Sequence, residues 1–229
     1  MSAIAIIPAR GGSKRIPQKN IKTFLGKPII AYSIEAAINS KLFDEIMVST
    51  DDNEIAEIAL KYGAKVPFLR SKETANDHTG LSSVIIEVLN KYKEQNIKFD
   101  NVCCLLATAP FITKNILIES LEILEKSNFD SIFPVVRYSY PIQRALQFNG
   151  NNISMIWPDN LQKRSQDLEP SFHDAGLFYW IKSEVILKEN RLWTNNTTAF
   201  EINEQTAQDI DTLDDWKLAE MKYKLINEK

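Results

Sequence analysis

Cysteine is nearly absent: two thiols in 229 residues, at the adjacent positions Cys103 and Cys104. Neighbouring cysteines cannot close an unstrained disulfide, and two thiols without further thiol partners do not make a zinc site. Both therefore read as small buried hydrophobes in an apolar run. An excess of charge of one sign is also missing. The 27 Lys+Arg against 30 Asp+Glu leave a formal charge of −3, which offers no global attraction to a polyanion, so nucleic acid is not an expected partner and any anion site must be local. Long apolar runs are lacking as well. The first, residues 3–7, is far too short for a secretory leader and has no basic segment before it, and no stretch approaches the ~18 apolar residues of a spanning helix. No membrane partner is expected, and the chain is expected in the cytoplasm. Repeats, linkers and low-complexity segments do not occur either. With 44% hydrophobic residues, the length suits one domain over residues 1–229.

What is present alternates. Residues 3–7 are continuously apolar and stop at Pro8, as in a strand buried on both faces of a parallel sheet. From Pro28, placed for a first helical turn, Ile30, Ile34, Ala37 and Ile38 recur at helical spacing. The pattern repeats as a strand at 45–49, a helix at 52–61, a short strand at 66–69, a helix at 81–92 and a buried strand at 101–106. A helix capped by Thr113 then runs to Lys126, with Ile116, Leu117, Leu121, Ile123 and Leu124 as its core stripe. Such alternation predicts a mostly parallel sheet covered by helices. From Asp130 the texture shifts to short apolar runs at 131–136, 145–148 and 153–157 separated by turn residues such as Asn149-Gly150-Asn151. These predict hairpins added to the core as an arm within about 131–170, a candidate dimer contact. Core strands resume at 176–181 and 199–202, and a helix closes the chain at 212–226, with Thr212 and Asp215 spaced as a capping box.

The chemistry concentrates in the segment from Pro8 to Asn20, directly after the first strand. Two glycines, Gly11 and Gly12, admit close approach of backbone N–H groups to an anion, and Arg10, Lys14, Arg15 and Lys19 put four cations within ten residues of an acidic protein. The segment matches neither the GxxxxGK[ST] phosphate loop nor the GxGxxG dinucleotide fingerprint. From composition alone, a solvated basic turn is as open as a polyphosphate site. Asp209 and Asp211, one residue apart in an extended stretch, present their carboxylates on one side. They suit Mg²⁺ shared with phosphate oxygens, while Asp211 equally suits the approach to a helix N-terminus. Asp51 and Asp52 end the second strand, where active-site loops of open α/β sheets gather, although Asp52 also reads as a helix start.

The segment 8–20 resembles the signature of the acylneuraminate cytidylyltransferase family. Gly26-Lys27-Pro28-Ile29-Ile30-Ala31-Tyr32-Ser33-Ile34, Val48-Ser49-Thr50-Asp51-Asp52, Leu69-Arg70 and Gln208-Asp209-Ile210-Asp211 resemble further motifs of that family, in the same order along the whole chain. The resemblance implies a Rossmann-like α/β fold of the nucleotide-diphospho-sugar transferase type with a hairpin dimerisation arm, hence a homodimer. It implies transfer of CMP from CTP to a 2-keto sugar acid with Mg²⁺ as cofactor. It also assigns roles: Lys19, Arg10 and Asp211 in catalysis; Ala9, Arg10, Gly11, Gly12, Lys19, Asn20, Arg70, Asp77 and Ser82 around CTP; Asp209 and Asp211 on the metal. For Arg70 a surface ion pair with Glu73 stays open.

Two segments depart from the sialic acid enzymes of that family. Leu105-Leu106-Ala107-Thr108-Ala109-Pro110-Phe111 stands where those carry a Leu-Leu-Gln-Pro-Thr-Ser-Pro type of sequence. Arg164-Ser165-Gln166-Asp167-Leu168 followed by His173-Asp174-Ala175-Gly176 stands where they carry an Asn-Gly pair. Both, together with the segment from Pro141 to Leu146, look like the pseudaminic acid branch, which implies that nine-carbon acid as substrate and Ala107, Thr108, Arg164, Gln166, Asp174, Phe178 and Tyr179 as its contacts. Arg164 or Arg144 would fork onto the sugar carboxylate, or form a rim salt bridge instead. Phe178 and Tyr179 read equally as core, and His173 reads as a hydrogen-bonded structural residue. N-acetylneuraminic or legionaminic acid as substrate, and a nucleotide-binding protein without turnover, are the alternatives.

Overall fold

The computed structural model describes residues 1–76 and 79–227. The apolar run at the start forms strand β1, Ala3–Pro8, whose first five residues are at most 2% exposed. Their side chains alternate between two cores. Ala3, Ala5 and Ile7 face one layer and Ile4 and Ile6 the other, as the two-residue period of a strand requires. A two-residue ladder, β2 (Thr23–Phe24) with β3 (Lys27–Pro28), closes the loop after β1. Pro28 occupies the capping position of helix α1, Ile29–Ser40, rather than its first turn. Strand β4, Glu45–Ser49, leads to α2, Asn53–Lys61, and α3 spans Leu81–Glu94. Strand β5, Asn101–Leu105, is followed by α4, Lys114–Lys126, whose cap Thr113 accepts from the Ile116 N–H.

The remaining elements are β6 (Ser131–Arg137), the hairpin β7 (Leu146–Asn149) with β8 (Asn152–Met155), β9 (Phe172–Asp174), β10 (Phe178–Lys182), α5 (Ser183–Glu189), β11 (Thr197–Glu201) and α6 (Leu213–Asn227). The anticipated capping box opens α6: the Thr212 N–H donates to Asp215 and the Asp215 N–H returns to the Thr212 hydroxyl. The main sheet runs β11-β6-β10-β5-β1-β4, with β9 on the β6 side. β4, β1, β5, β6 and β11 point one way and only β10 and β9 run against them, which makes it the mostly parallel α/β sheet that was expected. One face packs under α1, α2, α4 and α6 through Ile30, Ile55, Leu117 and Trp216; the other packs under α3 and α5 through Ile85, Val88 and Ile186. Cys103 and Cys104 are buried free thiols, one on each face. Among the described residues no helix is long and apolar enough to cross a membrane.

Two expectations are corrected. Residues 66–69 form no strand. Lys65 makes a single parallel bridge to Met47, with its N–H on the Ile46 carbonyl and its carbonyl taking the Val48 N–H. Pro67 follows, and a residue without an N–H cannot carry the ladder on. Residues 131–136 belong to no arm. They are β6 in the main sheet, between β10 and β11, and of the runs expected in the arm the β7–β8 hairpin forms a separate two-stranded sheet.

Candidate active site

Loops that leave the carboxyl ends of β1 and β5 meet in a cleft of about 320 Å³ whose lining includes Arg10, Lys19, Arg70, Ala107 and Asp209. That is where an open α/β sheet gathers its ligands. The loop after β1 is held from within. Ile16, 1% exposed, anchors it in the core, and the Asn20 side-chain amide donates to the Arg10 carbonyl at 2.9 Å, tying its two ends together. Arg10, Ser13, Lys14, Arg15, Lys19 and Asn20 all reach the cleft wall.

The glycines do something other than expected. The Ala9 N–H donates to the Ser49 carbonyl and the Gly11 N–H to Asp51 Oδ1 at 3.0 Å, so both donors already serve the protein. A Cβ on Gly11 would stand 2.5 Å from Asp52 Oδ2. That carboxylate is pinned as the cap of α2 by the Glu54 and Ile55 N–H groups, so Gly11 is required by the packing of the loop on the helix start. Asp52 is thus a cap, and Gly12 has open space around it.

Opposite the loop lie the two acids. Asp209 and Asp211 both line the cleft. Arg15 Nη1 stands 2.9 Å from Asp211 Oδ2, Lys19 Nζ 3.6 Å from Asp211 Oδ1, and the Lys19 ammonium donates to the Ile210 carbonyl at 2.7 Å. Burial, followed by the nearness of Asp211, pushes the proton affinity of Asp209 up. Among the described residues there is no group of three His, Cys, Asp or Glu side chains able to hold a metal by themselves. By donor chemistry the two carboxylates are hard oxygens, of the kind Mg²⁺ takes together with phosphate oxygens and water.

Arg70 is 8% exposed, so a surface pair with Glu73 does not account for it. Its guanidinium donates to the Ser49 hydroxyl and carbonyl. Desolvation lowers the proton affinity of that guanidinium, but arginine remains charged. Thr74, Asn76 and Thr79 continue the same wall. These three escaped the sequence reading, although the polar run around Asp77 was the signal that could have found them. Asp77 itself lies outside the described residues.

The residues assigned to the sugar separate. Ala107 and Thr108 line the cleft. Asp174 and Tyr179 line an adjoining cavity with Ser82, and Leu81 belongs to both. The Tyr179 hydroxyl donates to Asp174 Oδ2, and the Gly176 N–H donates to Asp174 Oδ1 at 2.8 Å. Phe178 is fully buried against Phe200 and is a core residue, because in β10 it points to the face opposite Tyr179. Arg164 forks onto Asp167, and Gln166 lines a separate cavity beside Tyr138 and Glu201; within one chain neither joins the cleft. Arg144 donates to Ser165. His173 is bonded to the Asp174 carbonyl and packed beside Tyr138, the structural role expected of it.

A family model described as cytidylyltransferase matches residues 4–222. The chain is 45% identical, over its whole length and 99% of the relative's, to a pseudaminic acid cytidylyltransferase of Campylobacter jejuni. It is 34% identical, with the same coverage, to a CMP-N,N'-diacetyllegionaminic acid synthase of Legionella pneumophila. An N-acylneuraminate cytidylyltransferase of Danio rerio is 36% identical over 95% of this chain and 50% of that protein. Among solved structures, a CMP:2-keto-3-deoxy-manno-octonic acid synthetase complexed with CTP superposes with a TM-score of 0.72 over the full length of both chains at 20% identity, a likeness of fold.

Proposed function

We propose that this chain, which belongs to the cytidylyltransferase family, transfers CMP from CTP to the anomeric hydroxyl of a nine-carbon 2-keto sugar acid, pseudaminic acid, with release of pyrophosphate. The observation that carries the proposal is a single cleft in which a cationic loop faces two carboxylates: Arg10, Arg15 and Lys19 opposite Asp209 and Asp211. A triphosphate matches the cations, and a nucleotidyl transfer needs both charge types within reach of one phosphorus. Greater likeness to two pseudaminic acid enzymes of Campylobacter jejuni, at 45% and 44% identity, than to the sialic and legionaminic acid enzymes at 36% and 34% supports the sugar.

In the reaction, the sugar hydroxyl attacks the α-phosphorus in line with the departing pyrophosphate, and no covalent enzyme intermediate is needed. Lys19 stabilises charge building on the α-phosphate, Arg10 and Arg15 take up the remaining phosphate oxygens, and Arg70 sits toward the base and ribose end. Asp209 and Asp211 would hold Mg²⁺, which when bound neutralises phosphate charge. Ala107 and Thr108 give the sugar a less polar wall than the glutamine of the sialic acid enzymes, and Asp174, fixed by Tyr179, supplies an acceptor. We read the reaction as cytoplasmic, where CTP is made. The test is kcat/KM with each sugar: pseudaminic acid is expected to exceed N-acetylneuraminic acid by about 10²-fold or more, a gap that unmatched polar groups can produce. Equal use of both would move the chain out of the pseudaminic branch. CTP binding without turnover on any sugar acid would favour a nucleotide-binding protein.

The hairpin supports a homodimer. Leu146 pairs with Met155 and Phe148 with Ile153 across β7 and β8, so one face is wholly apolar, and Phe148 is 79% exposed. A two-stranded ribbon of this kind has little stability alone and needs a surface to lie on. Light scattering is expected to give twice the 26.2 kDa chain mass, and Phe148→Asp with Ile153→Asp should shift it to the monomer. A wild-type monomer at working concentration would defeat the proposal.

A further inference from the structure

Arg70 ends a stretch that the sheet does not hold, since the chain beside β4 makes only the Lys65 bridge before Pro67. Something else must fix its backbone. The Arg70 N–H reaches the Thr50 carbonyl at 2.8 Å, and both flanking residues are seized by one helix. Lys91 Nζ donates to the Leu69 carbonyl at 2.9 Å. Glu87, one turn earlier on α3, takes the Ser71 N–H at 2.9 Å and the Ser71 hydroxyl at 3.1 Å, together with the Thr74 hydroxyl. Glu87 and Lys91 are themselves paired at 2.8 Å.

An ordinary i,i+4 pair on a helix surface is solvated and bonds only its partner. Glu122 and Lys126 on α4 are of that kind, with side chains 56% and 75% exposed. Glu87 and Lys91 are 15% and 29% exposed, and the Lys91 ammonium also lies over the Phe68 ring at 4.7 Å. Although burial pushes the Glu87 carboxyl up, the donors from Lys91, Thr74 and Ser71 hold it down at about 2. It therefore stays ionised across any working pH. The segment so gripped is one wall of the cleft, presenting Arg70, Thr74, Asn76 and Thr79.

We infer that Glu87 and Lys91 are positioning residues for nucleotide binding: from outside the cleft they clamp the backbone on both sides of Arg70 and pre-form the wall that CTP meets. The inference rests on the reading of this cleft as the CTP site. The wall, once freed, must be ordered by the ligand, and that cost falls on affinity for CTP rather than on the chemical step.

The experiment is calorimetric titration of the full-length protein with CTP, with steady-state kinetics beside it, on Glu87→Ala, Glu87→Gln, Lys91→Met and the solvated control Glu122→Ala. Glu87→Ala is expected to weaken CTP about tenfold, with kcat at saturation within about twofold of wild type and the KM for the sugar acid unchanged. Glu87→Gln keeps an acceptor for Ser71 and should recover part of the loss. Lys91→Met keeps the stem over Phe68 and the helix propensity but releases Leu69, and so tests the clamp even if Glu87→Ala folds poorly. Glu122→Ala should match wild type. CTP affinity unchanged in Glu87→Ala and Lys91→Met, or kcat and both KM values shifting together with the melting temperature, would overturn the clamp while leaving the CTP site standing. A wild-type protein that binds no CTP would overturn both.

Discussion

Lys19→Ala is expected to lower kcat by about 10²- to 10³-fold, the effect of removing one preorganised donor to charge that develops in a transition state. The geometry separates this from loss of a solvated lysine. The side chain is only 22% exposed, its ammonium is held at 2.7 Å by the Ile210 carbonyl, and Asp211 lies at 3.6 Å. It is thus aimed at the cleft before any substrate arrives and needs little reorganisation to act. Its removal also takes from Asp211 one of the two cations within ion-pair distance among the described residues, Arg15 and Lys19, so the KM for CTP should rise as well. Steady-state kinetics on the variant, with circular dichroism to establish that it is folded, is the check. A rate within about threefold of wild type would return Lys19 to the solvated-turn reading.

Metal removal should act more strongly still. EDTA is expected to reduce CMP-sugar formation by about 10³-fold or more and Mg²⁺ to restore it, because the divalent ion supplies several kcal/mol of charge stabilisation that the side chains do not replace. Asp209 and Asp211 line the cleft proposed for the triphosphate. Asp211 is partly neutralised by Arg15 and Lys19, whereas Asp209 is half-buried and pushed up by desolvation and by its neighbour. Two such acids without a cation between them and the phosphates would oppose binding. Asp211→Asn should therefore raise the Mg²⁺ concentration required for half-maximal rate, and Asp209→Asn should do so too, since its carboxylate is the one with no arginine partner within ion-pair distance among the described residues. Full activity in EDTA would rule this out.

Contacts near in sequence were legible from the sequence alone. The strand at 3–7, the Thr113 cap and the Thr212/Asp215 box each depend on residues within one turn or one strand period, and each appears as expected. The loop cations and Asp209 with Asp211, which the structure brings to one cleft, stood out for a different reason: each set clusters within a few positions.

Tertiary structure alone decided whatever depends on a partner far along the chain. Strand β6 looked like an arm because its neighbours β10 and β11 begin about 45 and 65 residues later. Phe178 and Tyr179 are adjacent and both aromatic, yet the pleat sends Phe178 into one core layer beside Phe200 and Tyr179 into the other, where its hydroxyl reaches Asp174. The need for Gly11 came from Asp52, far along the chain. The grip of Glu87 on Ser71 crosses a loop whose path no local pattern sets. Periodicity reports which side of an element is buried, but what that side meets is fixed only when the sheet closes and distant side chains compete for the same space.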